Sequence, residues 1–112
     1  MNLPPQFSAR LDFTFQEAEA DDSNLRFIFG DDGHRRVPMR MDGVEGMNTV
    51  GIWIDSAPAI FHPGDQVDVQ CILLAPELFD SAVEADVKFE LWDGKFFAKG
   101  VVIERFTDGW PT

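Results

Sequence analysis

The side chains able to do chemistry in this chain are few, and their spacing limits what they can do. His34 and His62 stand in or beside turn-forming stretches, and Cys71 is the only cysteine. A structural zinc site needs clustered nitrogen and sulfur ligands, so the histidines read as solvated turn residues and no metal or other cofactor is expected. Cys71 has no partner for an intramolecular disulfide and lies in an apolar run, as a small core residue would. That suits a reducing compartment and predicts a cytoplasmic location. Asp21, Asp22, Asn24, Asp31 and Asp32 offer oxygen ligands for calcium, but they lack the ordered spacing of a calcium loop and read as a solvated acidic face. Ser8, Ser23, Ser56 and Ser81 have no recognisable base beside them, and no nucleophile elbow is present. No Gly-x-x-x-x-Gly-Lys-Ser/Thr phosphate loop occurs, which argues against GTP. Twenty acidic residues are too many for sequence alone to pick a catalytic carboxylate pair. The expectation is a protein that is not an enzyme.

Nine basic residues against twenty acidic ones give a formal charge of -11. Such a surface repels nucleic acid and anionic lipid, and it attracts a protein partner with a basic surface. No window approaches eighteen uninterrupted apolar residues, and the opening MNLPPQFSAR has neither a charged nor a long apolar leader region. No membrane association and no export by the general secretory route are expected. Asp80, Glu84 and Asp86 form an acidic loop, and Trp53, Trp92, Phe96 and Phe97 fall on or beside hairpins. Partner contacts are therefore placed at Asp21, Asp22, Asp80, Glu84, Trp92, Asp93, Lys95 and Phe97.

These residues must be positioned by strands, because the dominant apolar period is two. Phe7, Ala9, Leu11, Phe13 and Phe15 alternate with polar neighbours, and Leu25, Phe27 and Phe29 repeat the pattern after a polar loop. Val37, Met39 and Met41 form a third run, in which Pro38 lacks a donor and marks an edge or bulge. Such an edge, carrying Met39 and Met41, would support a homodimer, although the methionines themselves read as core filler. Val50, Ile52 and Ile54 alternate next. The Pro63-Gly64-Asp65 turn precedes residues 67–75, whose second half is apolar on both faces. Residues 77–84 read as one helical turn or an irregular loop. Val87, Phe89 and Leu91 lead into an Asp93-Gly94 hairpin and a last strand over residues 96–106. Phe96 and Phe97 must point to opposite faces. The whole predicts a single all-β domain over residues 1–112, a six- or seven-stranded antiparallel barrel, with residues 1–6 and 107–112 as flexible or peripheral tails.

The order of these features resembles the C-terminal, third domain of elongation factor Tu-like translation GTPases, here as a stand-alone domain. The resemblance covers about the whole chain. Residues 7–15 are similar to that domain's first strand, residues 39–42 and 47–54 to its second hairpin, and Phe61-His62-Pro63-Gly64-Asp65 to its Pro-Gly-Asp segment. Residues 67–76 resemble its long proline-ended strand, residues 87–91 the strand before its glycine turn, and Gly100-Val101-Val102 its closing Gly-Val-Val. The family's Gly-Gly-Arg turn holds aminoacyl-tRNA, whereas this chain has Asp93-Gly94-Lys95, followed by Phe96, Phe97, Ala98 and Lys99. Asp93 sets a negative charge where the family offers bare backbone to nucleic acid.

Three functions follow from different classes. The first is a noncatalytic binding barrel acting through protein contacts, of the kind an immunity or inhibitor protein or a mimic of a translation factor's partner would use. The second is a translation-associated RNA- or tRNA-binding protein. The third is a small-ligand or carboxylate-based enzymatic barrel.

Overall fold

The computed structural model describes residues 4–14, 34–53, 64–92 and 94–110. Six strands occur among them: β1 (Phe7–Phe13), β2 (His34–Met41), β3 (Asn48–Trp53), β4 (Gln66–Leu73), β5 (Lys88–Trp92) and β6 (Phe96–Arg105). They close into an antiparallel barrel in the order β1-β4-β3-β2-β5-β6, with β6 returning to β1. The expected strand around Leu25, Phe27 and Phe29, the turn at Asp31-Asp32-Gly33, and His62 with Pro63 lie outside the described residues.

The alternation read from the sequence becomes the inside and outside of the barrel. Phe7, Ala9, Leu11 and Phe13 are buried, while Arg10 is exposed. Met39 and Met41 are buried as well, and β2 is bonded there both to β3 and to β5, so this stretch is not an edge. The pairing of β2 with β5 starts at Met39, one residue after Pro38. Proline therefore sits just outside the β2–β5 ladder while pairing with Thr49 of β3.

Two register shifts limit the alternation. One lies between Ser8 and Ala9 on β1, where Glu104 and Val102 of β6 are the successive partners and Ile103 is left over and exposed. The other lies between Leu91 and Trp92, opposite the start of β6. Beyond it, Phe97 and Ala98 are both buried and Phe96 is half-exposed.

The polar side chain of Gln6 ties the barrel to its C-terminal extension. It is the only polar residue in the buried class among those described. Its Nε2 donates to the Gly109 carbonyl at 2.8 Å, and its Oε1 accepts from the Leu73 N–H at 2.5 Å. Its backbone N–H donates to Cys71 and its carbonyl accepts from Phe106, each at 2.9 Å. Trp110 then packs against the core, with its indole N–H donating to the Phe106 carbonyl at 3.0 Å. Stretches that the sequence assigns to tails thus carry long-range bonds.

Cys71 is wholly buried, and burial alone pushes its thiol far above the ordinary range, because a thiolate there would lose its hydration. The unfolded thiol ionises near pH 8.5. Above that pH the unfolded chain releases a proton that the folded chain keeps, so stability attributable to this group is constant below it and falls as pH rises. The expected slope is about 1.4 kcal/mol per pH unit between roughly pH 9 and 10. Urea unfolding at stepped pH checks this, and Cys71→Ala should remove the slope.

Candidate functional site

The barrel interior is a packed apolar core, and among the described residues no carboxylate is buried. Groups able to bind or react therefore face outward, and they divide into two regions.

The first region is the connection between β4 and β5. Pro76–Leu78 forms one 3₁₀ turn, with proline early in the turn where an N–H would have no partner. The Leu78 N–H donates to Ala75 and the Val83 N–H to Phe79, each at 3.0 Å. This winding turns Phe79 and Val83 inward, where both are fully buried in the main core. It turns Glu77, Leu78, Asp80 and Glu84 outward. Leu74 and Leu78 are the most exposed large apolar residues described, at 55% and 56%. Sequence places residues 67–75 in a strand covered on both sides. Cys71, Ile72 and Leu73 are indeed buried in succession, but β4 ends at Leu73 and Leu74 projects outward.

One guanidinium holds this connection in place. Arg105 at the end of β6 donates to the Asp80 carboxylate and carbonyl and to the Val83 carbonyl at 3.1 Å. Its other face lies over the Trp110 ring, 4.0 Å from the centroid, a cation–π arrangement. Glu77, Glu84 and Asp86 make no ion pair among the described residues. Asp86 adopts a left-handed backbone, φ 75°, which aspartate tolerates better than most side chains. Its N–H donates to Val102 at 2.9 Å, fixing the entry to β5.

The second region is the outer face of β2, β5, β6, β1 and β4. Register places Arg40, Glu90, Lys99, Asp12 and Gln66 in one cross-strand row. Lys88, Val101, Arg10 and Asp68 form the next. Signs alternate from Arg40 to Asp12 along the first row, and in the second Arg10 stands opposite Asp68, so these cross-strand neighbours attract. Arg40 reaches Glu90 at 2.7 Å and Arg10 reaches Asp68 at 3.0 Å. The Asp68 hydrogen bond and charge hold the Arg10 guanidinium above its ordinary pKa. A shallow groove of about 490 Å³ runs over this face, lined by Arg10, Lys88 and Lys99 together with Asp12, Asp42 and Glu90. Three charges of each sign leave it neutral, and this gives it no preference for an ion of either sign. At the hairpin end Trp92 and Phe96 face each other across β5 and β6, and Arg40 lies 4.4 Å from the Phe96 centroid.

The residues expected at a partner contact are thus not one patch. Asp80 and Glu84 lie before β5, whereas Trp92 ends it and Lys95 and Phe97 follow it, and five strand residues span roughly 17 Å. Asp21, Asp22 and Asp93 lie outside the described residues. Phe97 requires a correction, since it is 6% exposed and stacked near Phe13 with centroids 6.3 Å apart. The register shift beside Trp92 sends Phe97 inward and leaves Phe96 as the exposed ring of the pair. Sequence reasoning missed Leu74, Leu78 and Arg105.

Among the described residues no three His, Cys, Asp or Glu side chains gather as a metal site. No protein-family model matches the chain, and no curated protein matches it.

Proposed function

We propose that this chain is a noncatalytic binding module that acts through protein contacts, with a partner whose contact surface is basic. The observation that carries this reading is the acidic connection at residues 77–86, where Glu77, Asp80, Glu84 and Asp86 face outward and Arg105 is already engaged. Outward carboxylates on a chain of charge -11 steer a cationic partner and repel phosphate. An immunity or inhibitor protein covering a basic surface, or a mimic that occupies a translation factor's partner, fits this charge. The resemblance to the elongation factor Tu C-terminal domain adds support to the second of these.

A tagged chain incubated in extract of its host should capture a protein, and Glu77→Lys with Glu84→Lys should lose most of it. These two side chains are exposed and hold no ion pair among the described residues, so the barrel itself should survive their reversal. Absence of any captured protein, or capture unchanged by the reversal, overturns the reading. RNA contact is the second reading, favoured by Trp92, Phe96, Lys95 and Lys99 at the hairpin end, since exposed rings beside cations can stack bases. The interleaved Glu90 and Asp12 work against it, and a low-salt gel shift with total RNA decides it.

A further inference from the structure

The two most exposed leucines flank the start of the β4–β5 connection, Leu74 directly after β4 and Leu78 at the end of the turn closed by its N–H to Ala75 bond, and the same connection bears the carboxylates already described. From this we infer that Leu74 and Leu78 are the apolar centre of the protein contact and that their occupant is a cationic amphipathic helix of the partner. The inference rests on the binding reading above and names the surface and the chemistry for it.

Three features select that occupant. Two leucines left exposed beside Phe79 and Val83, which the same connection buries fully in the core, would gain by covering apolar surface on another molecule. The pair is small, so it fits the stripe of one helix rather than a broad apolar sheet; such a stripe has apolar residues at three- and four-residue intervals. Glu77 lies between the leucines, and Glu84 and Asp86 follow them without ion pairs among the described residues. Lysines or arginines flanking the partner's apolar stripe would meet these carboxylates at the rim, where charge sets orientation and association rate. Anionic lipid or nucleic acid would meet repulsion there. The contact surface is also held in one shape, because Phe79 and Val83 anchor it from below and Arg105 fastens Asp80 and Val83. A surface fixed before binding loses little conformational freedom on association.

The test uses the full chain and a fluorescein-labelled helical peptide of leucine and lysine, with leucine confined to one stripe, followed by fluorescence anisotropy. Binding should weaken as salt rises. Leu74→Asp with Leu78→Asp should weaken it at least about tenfold, with an unchanged melting temperature. Trp92→Ala with Phe96→Ala, at the other end of β5, should leave it unchanged. A peptide of the same composition without the stripe should bind at least about tenfold more weakly. The inference is overturned if the wild-type chain ignores the striped peptide, if both peptides bind alike, or if the hairpin variant takes the loss instead. Capture of a host protein that survives the leucine changes would overturn this surface while leaving the binding function standing. Failure to capture any protein would remove the function itself.

Discussion

Gly100→Ala should lower the melting temperature by roughly 10 to 20 °C, the largest effect expected of a single added methyl group in this chain. Gly100 lies opposite Phe89 in the β5–β6 ladder, on the inward face of β6. A Cβ there would fall 2.1, 2.3 and 2.6 Å from three carbons of the Phe89 ring. The ring cannot step aside, because it is buried and meets Phe7 edge-on with centroids 6.2 Å apart. Overpacking of this kind costs about 3 kcal/mol, at the upper end of what inserted methyl groups cause. Phe89→Leu in the Gly100→Ala background should return part of that loss, since the two changes share one volume and cannot be additive. A thermal melt of the single and double variants checks both statements. A normal melting temperature for Gly100→Ala would mean that Phe89 does not pack over this glycine.

Phe79→Ala is the second large effect, expected at about 3 to 5 kcal/mol by urea unfolding. Phe79 has no exposed surface, although it lies on no strand. Its ring enters the barrel core from the connection between β4 and β5, so truncation leaves a cavity that strands bonded on both sides cannot collapse to fill. The same loss should reach the surface, because Phe79 holds the winding that presents Leu74 and Leu78. Binding of a partner should therefore fall even under conditions where Phe79→Ala remains folded. Leu78→Ala, one position earlier and half-exposed, should change stability by no more than about 0.5 kcal/mol. The contrast between adjacent positions separates a core anchor from a contact residue.

How far the sequence led depended on whether a feature was local. The inward set of β1 followed directly from Phe7, Ala9, Leu11 and Phe13, because period two leaves no other arrangement once one face is buried. Phe96 and Phe97 marked the limit. Adjacent residues take opposite faces, but which one turns inward depends on the register shift beside Trp92, and that is set by pairing between strands. The polar ties were equally hidden. Gln6 bonds to Leu73 and Gly109, and Arg105 to Asp80 and Val83, so their roles exist only once distant segments meet. The acidic connection was legible as charge. Its exposed leucines were not, because an apolar run does not show where its strand stops.

The claim that the acidic surface serves a protein partner is tested most directly by capturing the tagged chain's ligands from host extract at low and at high ionic strength. Protein, nucleic acid and small molecules are then quantified in the same eluate. The account predicts a basic protein retained in near-equal amount at low salt and released as salt rises, with nucleic acid at background. An eluate that holds RNA or a metabolite but no protein, or a protein retained equally at both salt concentrations, would contradict it.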